Sequence, residues 1–300
     1  MRTARVWWRG ARPRTLIAGV TPVFVGAAAA GHTVSGWRFP AALVVAVALQ
    51  VGVNFANDYF DGVGGVDTHE RLGPPRLVAS GAASARAVLA AALVSLSVAA
   101  VVGLALALAT SPVPILAIGA LALAAAVLYS GGPRPYAGLG LGEVMVFVFF
   151  GLMATCGTCF VVGGTVTAAA WWSGTALGLL AVAILVANNL RDMPTDEAAG
   201  KRTLAVRLGK RRTRLIYRAC IVGAFAVICV GVVVFLANEA VGITQWALFA
   251  LVAWPLAIAP MDRVGSAAGR DLIPVLTGTA ALEGGFGAML ALGLILGRVA

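Results

Sequence analysis

Charged side chains are scarce in this 300-residue chain, where Asp, Glu, Lys and Arg together make up 11% of the residues. A soluble domain normally has about a quarter of its residues charged. With 60% hydrophobic residues and a mean hydropathy of +0.95, the composition excludes an ordinary soluble domain and indicates an integral membrane protein. No short apolar segment with a cleavage site precedes Thr15, so we expect the first apolar helix to be retained.

Metal-binding and redox side chains are also few. His32 and His69 lack a second histidine at metal-binding spacing, and all four cysteines lie inside apolar runs. Cys156 and Cys159 match a redox motif by letters, but no βαβ pattern surrounds them, so we interpret them as packing residues. The sequence also lacks the alternation of apolar and polar residues that is typical of barrel strands, which argues against a β-barrel.

Long apolar runs dominate instead. A spanning helix needs about 20 mostly apolar residues. Nine runs come close to this length: 15–31, 39–57, 87–110, 113–130, 142–162, 174–190, 215–237, 243–260 and 274–297. They predict an all-α membrane protein with nine transmembrane helices, forming a single domain over residues 1–300.

The basic residues indicate how these helices are oriented. With a cytoplasmic N-terminus, every Lys and Arg except Arg38 and Arg298 falls on the cytoplasmic side. This agrees with the positive-inside rule. We therefore attribute the net charge of +10 to orientation in the cell membrane and predict no binding of nucleic acid.

Two polar stretches, Asn54–Asp61 and Asn188–Asp196, end the second and sixth apolar runs. They hold four of the 12 acidic residues, and acids near lipid are costly and usually functional. Because both stretches end even-numbered runs, they predict two four-helix repeats followed by a ninth helix. We expect them to form two halves of one site on the cytoplasmic side.

In the first stretch, Asn54, Asp58 and Asp61 have the spacing i, i+4 and i+7, which places them on one helical face. Carboxylates so close together repel, and Mg²⁺ would remove the repulsion, since it binds one or two carboxylates plus substrate phosphates. The glycines that follow are predicted to end the helix, and the loop after them is long enough to return Asp67 to the site. The alternative is a solvated helix end with an Asn cap.

In the second stretch, Asn188, Asp192 and Asp196 have the spacing i, i+4 and i+8. Pro194 predicts that the helix kinks or ends there, since proline disfavours a helix interior. We predict that Asp58, Asp61, Asp192 and Asp196 hold Mg²⁺.

Cations follow both stretches. Lys201 and Arg202 come shortly after the second, and Arg76 follows the first. A diphosphate needs metal on some oxygens and fixed cations on others, and Lys201 is the foremost candidate for such a contact. Arg76 has the alternative role of an ordinary cytoplasmic-side arginine.

A third stretch, Tyr129–Tyr136, links the fourth and fifth runs on the same side. Its glycines and prolines predict a tight turn that holds Arg134 over the site, with Tyr129 and Tyr136 as walls able to stabilise a cation. A plain turn with interfacial tyrosines is the alternative. Glu143 is predicted to pair with Arg134 or to cap the fifth helix.

The chain resembles the UbiA superfamily of intramembrane prenyltransferases, and within it the naphthoate-using branch of menaquinone biosynthesis. The resemblance covers nearly the whole chain and is carried by five segments: Arg12–Leu16, Asn54–Asp61, Tyr129–Tyr136, Asn188–Asp196 and Gly200–Gly209. The chain departs from that branch at Ala137 and Gly138, where a second aromatic residue often follows the Pro-Tyr pair.

The resemblance implies an Mg²⁺-dependent transfer of a polyprenyl group from polyprenyl diphosphate to 1,4-dihydroxy-2-naphthoate. CO₂ and diphosphate would be lost and demethylmenaquinone would form. It implies a catalytic set of Asp58, Asp61, Asp192, Asp196 and Lys201. The implied substrate-binding residues are Asn54, Arg76, Tyr129, Arg134, Tyr136, Asn188 and Arg202.

Two alternatives stay open at this stage. One is the same fold with another acceptor, such as 4-hydroxybenzoate. The other is a secondary transporter with acids at the membrane midplane. The transporter is disfavoured because both acidic stretches are predicted at the membrane edge, beside cations.

Overall fold

The structure, a computed structural model, describes residues 2–31, 36–65 and 76–298, and these ranges contain helices and connections without strands. Asp67, Arg71, His32 and His69 lie outside the described residues. The α-helices are α1 Arg2–Ala11, α2 Pro13–Ala29, α3 Arg38–Val63, α4 Ala85–Ala109, α5 Pro112–Leu128, α6 Gly142–Val146, α7 Ala154–Gly163, α8 Ala168–Ala198, α9 Leu204–Ala237, α10 Pro255–Arg263 and α11 Leu272–Leu296. A π-helix over Phe147–Met153 joins α6 to α7, and 3₁₀ segments include Tyr136–Leu139 and Gln245–Ala253.

The predicted all-helical membrane architecture is confirmed, but nine spans are not established by length and composition. In the part of the chain that is described, six helical segments are long and apolar enough to cross a membrane. A seventh is possible if Gln245–Ala253 and Pro255–Arg263, which meet at a bend of 47°, count as one span. Thr15–Ala29 and Pro112–Leu128 are shorter apolar helices at two of the predicted positions.

Helix α8 lies at the centre of the bundle. It packs extensively against α9 and also contacts α2, α7, α11 and the π-helix. Its side chains at Leu177, Leu180 and Ala183 are fully buried in the main apolar core. The pairing of α3 with α4 forms the other extensive helix contact. Helix α3 also packs against α2 and α7, which both contact α8, so these two helices connect α3 to α8.

One helix end agrees with the sequence-based prediction, and other features of the helices differ from it. Helix α3 ends at Val63 before Gly64, as the glycines predicted. Helix α8 does not end at Pro194 but continues to Ala198, since packing of a long buried helix outweighs the one missing N–H. Helix α9 is interrupted at Gly209, whose φ of 74° and ψ of 167° are not helical. The sequence patterns also failed to predict α1, a short basic helix whose Trp7 packs edge-on against Phe55 at 5.7 Å.

Glycine lets the π-helix approach α8 closely. An ideal Cβ placed on Gly151 would lie 2.4 Å from the Cα of Gly178, whereas one on Gly157, in the same continuous helical segment, would meet no atom within 4 Å. Helix packing therefore requires a glycine at position 151 but not at position 157.

We predict that Gly151→Ala destabilises the protein by about 1–3 kcal/mol, because the added methyl group overpacks a backbone contact. Gly157→Ala, the matched control, is expected to leave stability unchanged or to raise it by up to about 1 kcal/mol, because alanine is the better helix former and the added methyl group meets no atom. Thermal unfolding of both purified variants in the same detergent measures the difference. Equal stability of the two variants would contradict the packing of α8 against the π-helix.

Candidate functional site

The two acidic stretches meet, as predicted, in a small polar cavity of about 60 Å³ at the carboxyl ends of α3 and α8. Among the residues that the structure describes, its charged lining comprises three carboxylates and three cations: Asp61, Asp192, Asp196, Arg12, Arg76 and Lys201. The balance of charge suits neither a purely acidic metal site nor a purely basic anion site. It suits a metal ion and an anion bound together.

Asp61 lies between two cations. The Arg76 Nη2 atom is 3.3 Å from Asp61 Oδ2, and the Lys201 Nζ atom is 4.0 Å from Asp61 Oδ1. Both Asp61 and Arg76 are buried, so their attraction is weakly screened by solvent. The Lys201 amide donates to the Asp196 carbonyl oxygen at 2.8 Å. The loop after α8 therefore carries the lysine across to the acid on α3.

Asp192 is held by residues on its own helix. Arg191 binds it with two hydrogen bonds, from Nε to Oδ1 at 2.7 Å and from Nη2 to Oδ2 at 2.6 Å. The same Nη2 donates to Asn188 Oδ1 at 2.8 Å, and Asn188 Nδ2 lies 3.5 Å from Asp192 Oδ2. Such paired, charge-assisted hydrogen bonds fix the orientation of a carboxylate. Asn188 and Asp192 thus lie in the site where the sequence predicted them.

Asp58 does not share the cavity that was predicted for it. The carboxylate accepts the Leu77 amide at 2.9 Å on Oδ2 and the Val78 amide at 3.0 Å on Oδ1, and it is absent from the cavity lining. Two backbone N–H groups satisfy one oxygen each, which makes Asp58 the anchor of the segment that carries Arg76. The spacing did not predict this anchoring contact, and the role of Asp58 as a metal ligand stays a prediction.

Asn54 is likewise engaged elsewhere, since its Nδ2 donates to the Ala11 carbonyl oxygen at 2.9 Å and to Thr15 Oγ1 at 3.2 Å. The asparagine of α3 that lines the polar cavity with Asp61 is Asn57, one helical turn before it. Asn57 Oδ1 is buried and has no hydrogen-bond partner among the described residues. An unsatisfied buried carbonyl oxygen is costly unless a ligand completes it.

A much larger apolar cavity of about 1050 Å³ adjoins the polar one. Four residues line both cavities: Arg12, Asn57, Tyr129 and Asn188. Elsewhere its wall is mostly aliphatic, with contributions from α2, α3, α4, α5, α7, α8 and α11. Ligand pockets typically enclose about 300–1,000 Å³, so this one is large enough for an extended apolar chain.

The two tyrosines of the third stretch lie at the junction, as predicted. Tyr129 and Tyr136 pack edge to face with ring centroids 5.4 Å apart, and Tyr136 Oη donates to the Ala125 carbonyl oxygen at 2.8 Å. Burial raises the pKa of Tyr136 to about 12. Burial, followed by the negative charge of Asp61, also raises the pKa of Tyr129. Both phenols therefore stay neutral at physiological pH and add no negative charge to the junction.

Other predicted contacts are not formed. Arg134 and Arg202 are exposed and line neither cavity. Glu143 does not pair with Arg134; its Oε1 accepts from Asn189 Nδ2 at 3.0 Å, so it fixes α6 to α8. Instead, the turn that contains Gly138 packs against the loop that carries Lys201. A Cβ built on Gly138 would lie 3.7 Å from Lys201 Cγ.

From the sequence alone, the segment Arg12–Thr15 was equally consistent with contacting the acceptor and with anchoring the first helix, and Asn57 was overlooked. Arg12 lies between α1 and α2 with a φ of 53°, a left-handed conformation that is strained for a residue other than glycine. Its side chain lines both cavities. In the sequence, the pair Arg12-Pro13 was the signal for the sharp turn between α1 and α2. The spacing of Asn57 and Asp61, i and i+4, was the signal for their shared face.

Within residues 2–31, 36–65 and 76–298, no group of three or more His, Cys, Asp or Glu side chains is arranged to hold a metal ion alone. The polar cavity nonetheless offers carboxylates and the unpaired amide oxygen of Asn57, all ligands suited to Mg²⁺. Such donors fit a cation that completes its coordination with oxygens of a substrate.

Comparison with known proteins agrees with this geometry. The sequence pattern of the UbiA prenyltransferase family matches residues 19–268. The chain is 47% identical over 276 residues to the 1,4-dihydroxy-2-naphthoate octaprenyltransferase of Mycobacterium tuberculosis, covering 91% of each chain. It is 48% identical over 280 residues to the Mycobacterium leprae protein of the same name, covering 91% of this chain and 90% of the relative. The fold is similar to that of a UbiA homologue from Archaeoglobus fulgidus bound to DMAPP and Mg²⁺, with a TM-score of 0.61, 18% identity and coverage of 97% and 99% of the two chains.

We predict that Asp58→Ala releases the segment beginning at Arg76, because the Leu77 and Val78 amides lose their carboxylate acceptor. Hydrogen exchange followed by mass spectrometry should show faster exchange in peptides containing these two amides. Asp262→Ala on α10 is the control, since it removes an exposed carboxylate that lines neither cavity and accepts neither amide. Unchanged protection in Asp58→Ala would contradict the anchoring role.

Proposed function

Because the chain belongs to the UbiA prenyltransferase family, we propose that it transfers a polyprenyl group from polyprenyl diphosphate to 1,4-dihydroxy-2-naphthoate. One observation carries the proposal: a charged cavity adjoins an apolar one, and four residues line both. A polyprenyl diphosphate has the same division into a charged head and an apolar tail. The names of the two mycobacterial relatives support the choice of acceptor.

The diphosphate would occupy the polar cavity. Lys201 and Arg76 approach Asp61 from two sides and are placed to transfer part of their interaction to phosphate oxygens. Arg12 provides a third cation at the junction. Preorganised cations stabilise the charge that develops on a leaving group, and one such contact is typically worth about 10²–10³-fold in rate.

Mg²⁺ would be held by Asp61 from α3 and by Asp192 and Asp196 from α8, with Asn57 Oδ1 as a neutral ligand. When bound, the ion would supply Lewis-acid neutralisation of the diphosphate. Asp58, which the sequence also assigned to the metal, would act through the loop that it anchors. The Mg²⁺ in the Archaeoglobus homologue supports a metal-dependent reaction here.

The prenyl chain would extend into the apolar cavity. The bond between its first carbon and the diphosphate oxygen breaks with the electron pair leaving on the diphosphate, which gives an allylic cation. Tyr129 lies at the junction where this carbon would sit, and an aromatic face stabilises a cation. The aliphatic wall excludes water, which would otherwise capture the cation.

The naphthoate ring would enter at the same junction, where Arg12 and Asn188 offer polar contacts to its carboxylate and hydroxyl groups. The ring carbon that bears the carboxylate forms the new bond to the allylic carbon. Loss of CO₂ returns an electron pair to the ring and restores its aromaticity. The product is the quinol form of demethylmenaquinone, and no external oxidant or reductant is consumed.

We further propose nine membrane crossings with a cytoplasmic N-terminus in the cell membrane. The two short apolar helices and the bent pair account for the three predicted spans beyond the six long ones. Exposed basic side chains follow the end of α8 near the polar cavity: Arg202, Lys210, Arg211 and Arg212. This arrangement supports placing the diphosphate site at the cytoplasmic surface.

The proposal predicts one product from a mixed-acceptor assay. Purified protein with Mg²⁺, a prenyl diphosphate, 1,4-dihydroxy-2-naphthoate and 4-hydroxybenzoate should give the decarboxylated naphthalene product by mass spectrometry. Asp61→Asn and Asp192→Asn should each reduce its formation by about 100-fold or more, since each removes a carboxylate that would hold the Mg²⁺ neutralising the leaving diphosphate. Exclusive prenylation of 4-hydroxybenzoate would reject the acceptor, and near-normal turnover in both variants would reject the site.

The two lysines of the chain provide a matched pair for the leaving-group contact. We expect Lys201→Met to lower turnover by about 100-fold, because a cation facing the diphosphate is removed. Lys210→Met should remain within about twofold, since an exposed lysine outside the site contributes little. Steady-state rates at saturating donor test this. Equal effects of the two substitutions would show that Lys201 has no special role.

A further inference from the structure

The distant part of the apolar cavity is lined by glycines on three different helices: Gly103 on α4, Gly119 on α5 and Gly157 on α7. An ideal Cβ built on any of the three meets no atom within 4 Å. Gly151 and Gly26 behave differently, since a Cβ there would lie 2.4 Å and 2.3 Å from backbone atoms of a neighbouring helix. The three cavity glycines are therefore not required for helix packing.

Glycine inside a helix is destabilising by about 0.5–1 kcal/mol relative to alanine. At Gly26 and Gly151 the close approach of two backbones offsets this loss. At Gly103, Gly119 and Gly157 no such contact exists, because the missing side chain leaves open space. What these residues provide is volume in the cavity.

The open space lies far from the charged end. Along α3 the cavity wall runs from Asn57 back to Ala42, which is about 22 Å of helix at a rise of about 1.5 Å per residue. Gly119 lies about 15 Å along α5 from Tyr129, which marks the junction with the polar cavity. A chain whose diphosphate is fixed in the polar cavity reaches this region only if it has several isoprene units.

Two buried polar atoms independently indicate that the near half of the cavity receives a ligand. Within the described part of the chain, Asn57 Oδ1 and Gln50 Oε1 have no hydrogen-bond partner; both side chains are more than nine-tenths buried, and both residues line the cavity. Apolar space alone does not explain these oxygens. A ligand with a polar head among these residues and an apolar tail beyond them explains both halves of the cavity.

We propose that Gly103, Gly119 and Gly157 determine the length of prenyl chain that the protein accepts, by leaving room for the distal isoprene units. This inference rests on the proposed function and adds a chain-length determinant to it. A bulky side chain at any of these positions would close the distal space while leaving the charged site and the junction unchanged.

The test compares a short and a long donor, geranyl diphosphate and octaprenyl diphosphate, each with 1,4-dihydroxy-2-naphthoate and Mg²⁺. Gly119→Phe should lower the rate with the long donor by about 10–200-fold, the usual effect of a blocked apolar subsite, and keep the short-donor rate within about twofold. Gly103→Phe should do the same. The matched controls are Leu121→Phe and Val101→Phe on the same helices, where the native side chains are 63% and 68% exposed and do not line the cavity.

The outcomes separate the inference from the function on which it rests. Wild-type protein that transfers neither donor would refute the proposed function itself. If wild type transfers both, an unchanged long-donor rate in Gly119→Phe and Gly103→Phe would overturn the chain-length role. Equal loss of both donors in these variants, with unfolding temperatures matching the controls, would overturn it too. Selective loss of the long donor in either glycine variant, with both controls unchanged, supports it.

Discussion

The structure depends on carboxylates that are held at the carboxyl ends of two helices, where negative charge is unfavourable. Asp61 and Asp196 lie in the last turns of α3 and α8, where the helix dipole disfavours negative charge by about 0.3–1 kcal/mol each. Arg76 and Lys201 offset this for Asp61. Because Lys201 follows α8 and Asp61 ends α3, their attraction also links the two halves of the bundle. The acids are thus kept close together and ready to exchange protein cations for a metal-bound diphosphate.

The second feature is an abrupt change of polarity. A cavity of about 60 Å³ lined by charges meets one of about 1050 Å³ lined mainly by aliphatic groups. Tyr129 lies at the boundary, and burial keeps its phenol neutral. Heterolysis of an allylic diphosphate needs both environments within one bond length: charges for the departing anion and a dry wall for the cation. The arrangement of α3, α5 and α8 supplies this boundary.

Much of this could be predicted from the sequence, because apolar length and motif spacing are local properties. The helical segments and the meeting of the two acidic stretches followed from them. The direction in which each individual side chain points could not be predicted from these local properties. Asn54, Asn57, Asp58 and Asp61 all lie near one helical face, and the choice among them depends on the Leu77 and Val78 amides, which claim Asp58. A tertiary contact of this kind leaves no signal in periodicity. The same holds for Pro194, whose effect was outweighed by the burial of α8.

The most direct test of the shared site is diffraction from crystals grown with Mn²⁺ in place of Mg²⁺ and a non-hydrolysable polyprenyl diphosphate analogue. We expect an anomalous peak between Asp61 and the pair Asp192 and Asp196, beside the diphosphate, with the tail in the apolar cavity. A peak that contacts carboxylates of only one helix, or an analogue bound with its diphosphate outside the polar cavity, would contradict a site formed jointly by α3 and α8.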